Sequence, residues 1–119
     1  IMRIIPSKFH GALDYAVAAT LIIAPLVLGF QGIAKYLAIA GGIGLLVYSL
    51  ITDYSLSARN LIPFKLHLIL DFTAALALVA APFIFGFGGL EKAFYLVIGI
   101  SVIAVVLITN PDTNEAGIS

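Results

Sequence analysis

Residues 6–32 read PSKFHGALDYAVAATLIIAPLVLGFQG, and residues 63–89 repeat the pattern 57 positions later as PFKLHLILDFTAALALVAAPFIFGFGG. The match continues without a gap, so that 18 of the 48 positions compared between residues 6–53 and 63–110 are identical. An apolar composition alone would pair leucine with leucine. It would not pair histidine, aspartate, lysine and two prolines in register. The chain therefore contains two copies of one unit.

Each unit contains two apolar stretches that are long enough to cross a membrane. A helical span needs about 20 mostly apolar residues, and four segments qualify: about Phe9 to Leu28, Ile33 to Thr52, Phe64 to Phe85 and Leu90 to Thr109. Glycine-containing turns separate the members of each pair, which predicts two tight hairpins. The fold class is therefore all-α, a four-transmembrane-helix bundle made of two tandem parallel helical-hairpin repeats. Residues 1–119 form a single membrane domain, with residues 53–62 as its linker.

The composition indicates that most of the protein surface faces lipid, and it excludes several functions. Hydrophobic residues make up 62% of the chain and charged residues 10%, whereas a soluble domain carries roughly a quarter charged residues. The net charge is zero, which gives no basic face for nucleic acid. The sequence has no cysteine and no Ser-His-Asp triad, P-loop or dinucleotide fingerprint. An enzymatic function therefore has no support.

The relation between the repeats follows from their even number of spans. Both units must enter the membrane from the same side, which predicts a pseudo-two-fold axis along the membrane normal. His10, Asp14, Ala18, Leu21 and Pro25 share one face of the first helix, and all five are identical in the second copy. Residues beside a two-fold axis meet their own counterparts. This stripe therefore predicts where the first and third helices approach, with the small Ala18 and its counterpart allowing close contact.

The distribution of basic residues predicts the orientation of the chain in the membrane. Four lie in the N-terminal segment and around the linker, and two lie in the hairpin turns: Arg3, Lys8, Arg59 and Lys65 against Lys35 and Lys92. The positive-inside rule then places both termini and the linker in the cytoplasm. Lys8, Arg59 and Lys65 are expected to anchor the protein to lipid phosphates there.

Several segments resemble the bacterial SPW-repeat membrane proteins: Leu50 to Tyr54, Arg59 to Pro63, His67 to Asp71 and Ala81 to Phe87. In that family the hairpin turn follows a Ser-Pro-Trp motif. The matching tripeptides here are Ala24-Pro25-Leu26 and Ala81-Pro82-Phe83, which keep the proline alone. The resemblance covers nearly the whole chain. It implies a small bacterial inner-membrane protein of two hairpin repeats and brings no activity with it.

The candidate site is a duplicated pair of ionisable residues. His10 and Asp14 lie four positions apart on one face of the first span, and His67 and Asp71 repeat this arrangement in the third. Ionisable groups inside a span are costly and are a functional hypothesis by default. On the predicted seam, two imidazoles and two carboxylates would converge near the axis.

Four interpretations of this cluster remain open. Two histidines and two aspartates can hold a divalent metal ion tetrahedrally, with zinc, iron and manganese all suitable. The histidines can instead ligate a haem from opposite sides, with the aspartates as partners of their other ring nitrogens. Asp14 and Asp71 can carry ions along the seam. Lastly, the pairs can be structural, with Asp14 stabilised by the macrodipole in the first helical turn and His10 bonded to it along the helix.

These residues favour a small membrane protein of structural or accessory role that binds a metal ion or haem through the duplicated His/Asp pair. The alternative is a subunit of an oligomeric transporter or ion channel that uses Asp14 and Asp71. Four spans would need to oligomerise to form a pathway, so a homo-oligomer or a larger membrane complex is the expected partner besides lipid.

The remaining tyrosines and glycines are assigned to helix packing or to the membrane interface. Tyr48 lies inside the second span and is assigned to packing, although it is within reach of the His/Asp layer. Close helix packing is expected from Gly41, Gly42, Gly44 and Gly99. An aromatic belt at the span ends is expected from Tyr15, Tyr36, Tyr54 and Tyr95.

Overall fold

The computed structural model describes residues 3–52 and 61–112. These residues form four helices, α1 (Ser7–Val27), α2 (Gly32–Leu50), α3 (Phe64–Phe85) and α4 (Gly89–Ile108). Each predicted span agrees with its helix to within two residues at both ends, and the third agrees at both bounds. The two helices of each predicted hairpin pack closely along their length, whereas fewer residues bring the hairpins together. The predicted all-α fold of two hairpins is confirmed.

The hairpin turns are built in the same way in both repeats. Pro25 and Pro82 lie in the last turns of α1 and α3, and their carbonyls accept hydrogen bonds from the amides of Phe30 and Phe87, both at 2.9 Å. Such a bond closes a helix when the residue just past its end is left-handed, which glycine permits. The turn glycine Gly86 supplies that conformation with a φ of 72°.

Each hairpin is held together by a glycine facing a helix backbone. A Cβ at Gly42 would lie 2.9 Å from the carbonyl oxygen of Ala18, and a Cβ at Gly99 would lie 3.0 Å from that of Ala75. Larger residues would force each pair of helices apart, so these glycines have the predicted packing role. Ala18 and Ala75 make this close contact inside the hairpins, rather than between α1 and α3 as the sequence stripe suggested. A Cβ at Gly41 or Gly44 would meet no atom within 4 Å, so the packing prediction for those two is wrong.

The outer surface of the bundle is apolar. Phe9 and Val27 on α1 are 63% and 76% exposed, and Ile84 on α3 is 70% exposed. All four helices are long and apolar enough to cross a membrane, and the chain is accordingly a multi-pass membrane protein. Exposed Tyr36 suits a membrane interface, but Tyr95 is fully buried and donates a hydrogen bond to the carbonyl of Ala34 at 2.6 Å. Its place in the aromatic belt is therefore a wrong prediction, and Tyr54 lies outside the described residues.

Two short backbone bridges join the hairpins at one end of the bundle. Ile5, just before α1, pairs in parallel with Thr109, just after α4, and Thr52 pairs in the same way with Ile62. The two pairs are related by the 57-residue shift. Each bridge therefore sets the end of one hairpin beside the beginning of the other. This places Thr52 next to the start of α3 and Thr109 next to the start of α1.

Candidate metal centre

The two histidines and two aspartates of the repeated stripe meet between the hairpins. His10 and His67 are each the fourth residue of their helix, and Asp14 and Asp71 follow one turn later. The imidazole ring centroids are 5.6 Å apart, with the rings nearly perpendicular. One ligand atom from each of the four side chains lies within 4.8 Å of all the others. None of the four residues is more than 2% exposed. The predicted approach of the two imidazoles is observed. The helices α1 and α3 themselves pack less closely on each other than α2 packs on α3 or α1 on α4, so the predicted first/third-helix seam is not the main contact between the hairpins.

The strongest contacts cross from one hairpin to the other. His10 Nε2 lies 2.8 Å from Asp71 Oδ2, and His67 Nε2 lies 2.5 Å from Asp14 Oδ2. The contacts along each helix are longer, at 3.2 Å for His10 with Asp14 and 3.4 Å for His67 with Asp71. Each residue therefore meets the other repeat's partner at closest range. This reciprocal exchange is what a pseudo-two-fold axis requires.

The macrodipole explanation of Asp14 is wrong. Asp14 is the eighth residue of α1, and the first turn of that helix contains no acidic residue. The effect of the helix dipole fades within the first turn. The pairing of His10 with Asp14 along the helix exists, but it is not the shortest contact of either side chain.

A threonine fixes the far side of each imidazole. His10 Nδ1 lies 2.9 Å from Thr109 Oγ1, and His67 Nδ1 lies 2.7 Å from Thr52 Oγ1. Each threonine hydroxyl also donates to a backbone carbonyl four residues earlier, Thr109 to Val105 and Thr52 to Tyr48. A hydroxyl has a single hydrogen. Since the carbonyl receives it, the threonine oxygen must accept from Nδ1–H of the histidine.

This hydrogen-bond network assigns the imidazole tautomers. With Nδ1 protonated, a neutral imidazole carries its lone pair on Nε2. In both histidines Nε2 is the atom that faces the two carboxylates. Four electron-rich groups therefore point at one another from two hairpins, and positive charge is needed among them. Because the site is buried, that charge interacts with little screening by water.

Tyr48 breaks the symmetry of the cluster. Its hydroxyl donates to Asp71 Oδ1 at 2.5 Å, and its ring lies 4.9 Å from the imidazole of His67. The residue at the same position of the second repeat is Val105, which has no hydroxyl for Asp14. The assignment of Tyr48 to packing alone is therefore wrong. It completes the surroundings of one aspartate and leaves the other without this donor.

Thr52 and Thr109 are site residues that sequence reasoning missed. They are identical in the two repeats, which was a usable signal, but they lie at the far ends of the spans that carry no histidine. Among the proposed lipid anchors, Lys8 and Lys65 are exposed at the same end of the bundle as the cluster. Arg59 lies outside the described residues.

Comparison with known proteins brings no further constraint, since no family model, curated protein or solved structure matches the chain.

Proposed function

We propose that this chain is a small inner-membrane protein of bacterial SPW-repeat type in which a divalent metal ion joins the two hairpins. His10, Asp14, His67 and Asp71 supply the ligands, and the role of the ion is structural. The observation that carries this proposal is the direction of the imidazoles. Both Nδ1 protons are engaged by threonines, so both Nε2 lone pairs are directed at the carboxylates.

Charge balance supports a divalent ion. Two ionised aspartates bring two negative charges into a site whose residues are at most 2% exposed, and unpaired buried charge is strongly destabilising. One divalent cation neutralises both carboxylates and accepts both Nε2 lone pairs. Two protons, one on each Nε2, would also neutralise the site and would give two histidinium–aspartate pairs. These two states differ in metal content, so measurement can separate them.

Imidazole and carboxylate suit zinc, iron and manganese alike, and it is the number of ligands that favours zinc. Imidazole nitrogen and carboxylate oxygen are both zinc ligands, and closed zinc sites are almost always four-coordinate and tetrahedral. Bonds of about 2.0–2.1 Å place tetrahedral ligand atoms about 3.3 Å apart. The two contacts along the helices, 3.2 and 3.4 Å, have this spacing. The two cross-hairpin contacts, 2.8 and 2.5 Å, must lengthen for the ion to enter.

A haem fits this geometry less well. Its porphyrin would have to lie between the two imidazoles, where the carboxylate oxygens stand 2.5 and 2.8 Å from Nε2. In the haem interpretation the aspartates would bind the outer ring nitrogens. Threonines occupy that position instead.

An ion pathway through Asp14 and Asp71 is the remaining alternative. Along the described part of each stripe, the residues that follow the aspartates are apolar, namely Ala18, Leu21, Ala75 and Leu78. A polar continuation would favour transport. The apolar stripe therefore favours a site that holds a bound ion over a pathway that conducts ions. The proposed orientation, with both termini and the linker in the cytoplasm, places this site near the cytoplasmic face.

The decisive experiment is elemental analysis of protein purified without chelator and without an affinity metal. We expect one zinc per chain in the native protein and less than a tenth of that in His67→Ala. Added Zn²⁺ should raise the melting temperature of the native protein, because a ligand held at 100 times its Kd stabilises the folded state by about 2.7 kcal/mol. His67→Ala should not respond to Zn²⁺.

Thr73→Val is the matched control, because Thr73 lies exposed on α3 and bonds the carbonyl of its own helix at Ile69. It should keep its zinc. A native protein that contains no metal, and whose melting temperature does not change with added Zn²⁺, would contradict the metal proposal. The cluster would then consist of histidine–aspartate pairs alone. A Soret band would favour haem, and zinc or proton flux into liposomes would favour the transporter.

A further inference from the structure

A narrow cavity of about 190 Å³ lies between α2 and α3, beside the His/Asp cluster. Its α2 wall includes Leu37, Gly41 and Gly44, and its polar end is formed by Tyr48 and Asp71. The α2 backbone rises about 16 Å between Leu37 and Tyr48, at 1.5 Å per residue. The cavity is therefore a slot that runs along the helix and ends at polar groups. Gly41 and Gly44 are exposed, so the slot is open toward the lipid.

The slot breaks the pseudo-symmetry of the molecule. The repeat positions on α4 that correspond to Gly41 and Gly44 hold Ile98 and Ser101, and Leu37 is matched by Phe94. Phe94 and Ile98 pack against the buried hydrophobic core. The two glycines are not needed for helix packing, since a Cβ at either would meet no atom within 4 Å. Their effect is to leave space between α2 and α3.

The polar end of the slot selects for hydrogen-bond donors without negative charge. Asp71 Oδ1 accepts from the Tyr48 hydroxyl, and a carboxylate oxygen has a second lone pair that can accept another donor. A phosphate or fatty-acid carboxylate offers only acceptors to Asp71 Oδ1, which is itself an acceptor, and so gains no hydrogen bond there. A neutral hydroxyl would be favourable there. The aromatic ring of Tyr48 also offers a surface for a second ring.

We propose that this slot binds an isoprenoid quinol, with its ring hydroxyl at Asp71 and Tyr48 and its chain along α2. A cavity of about 150 Å³ lined by apolar side chains is large enough to hold benzene, so the slot can take one ring and the first part of a chain. The remaining chain leaves past Gly41 and Gly44 into the bilayer. The metal site and this slot share Asp71, but the slot does not depend on a bound ion.

Binding of decyl-ubiquinol to the full chain, followed by native mass spectrometry, tests the proposal. We expect saturable binding of one molecule per chain. Gly41→Ile introduces the residue of the other repeat into the slot and should weaken binding at least about tenfold, because the added side chain occupies the ligand's volume. Tyr48→Phe should weaken it about fivefold, the effect of one ordinary hydrogen bond. Gly41→Ile changes neither the four metal ligands nor a residue that hydrogen-bonds them, so its zinc content should equal that of the native protein.

Ile43→Phe is the control, because Ile43 is exposed on α2 and is not part of the slot. It adds bulk to the same helix and should leave binding unchanged. Equal binding by the native protein and Gly41→Ile would overturn the slot as the site. Decanoate that binds as tightly as decyl-ubiquinol would overturn the quinol and identify the occupant as a lipid chain. A native protein that contains no zinc but binds decyl-ubiquinol, with the expected loss in Gly41→Ile, would count against the metal proposal alone.

Discussion

Thr109 accepts a hydrogen bond from His10 although 99 positions of sequence separate the two residues. The contact joins the end of the second hairpin to the beginning of the first, and Thr52 with His67 forms its counterpart. Each threonine holds a histidine from the side away from the carboxylates. The orientation of the proposed zinc ligands thus depends on residues that are not ligands.

We therefore expect Thr109→Val to lower zinc affinity about 10- to 100-fold, the usual cost of removing a group that orients a metal-bound histidine. Valine keeps the shape of threonine but cannot accept from Nδ1–H. Competition with a fluorescent zinc chelator measures the change. Thr20→Val is the control, since Thr20 is half-buried, is not part of the cluster, and its hydroxyl donates to the carbonyl of Ala16 in the same helix. Equal affinities of Thr109→Val and native protein would show that the threonine does not orient the ligand.

Gly42 and Gly44 should respond differently to the same substitution. Gly42→Ala places a methyl group 2.8–2.9 Å from Ile22, Ala18 and Leu21, and overpacking of this kind costs about 1–3 kcal/mol of folding free energy. Gly44→Ala meets nothing within 4 Å and should leave stability unchanged or raise it. Denaturation in detergent micelles, followed by circular dichroism, compares the two. A Gly42→Ala protein as stable as Gly44→Ala would contradict the close packing of α1 on α2.

Tyr95 links the two hairpins at a distance from the His/Asp cluster. Its buried hydroxyl donates to the carbonyl of Ala34 on α2. Tyr95→Phe removes the donor and should cost about 1 kcal/mol of stability, with zinc content unchanged. Tyr36→Phe serves as the comparison, because Tyr36 is 64% exposed on the outside of α2. Loss of zinc from Tyr95→Phe would mean that the centre depends on packing throughout the bundle.

Topology can be measured with reporter fusions. A green fluorescent protein fused after Ser119 should fluoresce, and alkaline phosphatase inserted at Gly88 should be active, because four of the six basic residues lie on the side of the termini. The opposite pattern would place the metal centre near the periplasmic face. If both reporters lay on the same side of the membrane, α4 could not be the single span that separates Gly88 from the C-terminal fusion.

The fold was accessible from sequence because it depends on local pattern. Apolar runs of span length predicted the helices, and the turn glycines predicted the hairpins. The site was accessible in part, since His10, Asp14, His67 and Asp71 repeat on one helix face. Thr52 and Thr109 were not identified, because their contacts depend on how the hairpins dock. Glycine composition alone also could not separate Gly42, which meets a backbone, from Gly44, which meets empty space.

The reciprocal pairing across the hairpins has a consequence for assembly. Each hairpin supplies one histidine, one aspartate and one threonine, and the shortest bonds of each histidine reach an aspartate of the other hairpin. A hairpin by itself therefore carries half of the centre, and two copies of one hairpin would carry all four ligands. The covalent connection between the halves then acts through effective concentration, which is in the millimolar range for short linkers. Two separately expressed hairpins should form the same centre once their local concentration in the bilayer compensates for the missing connection.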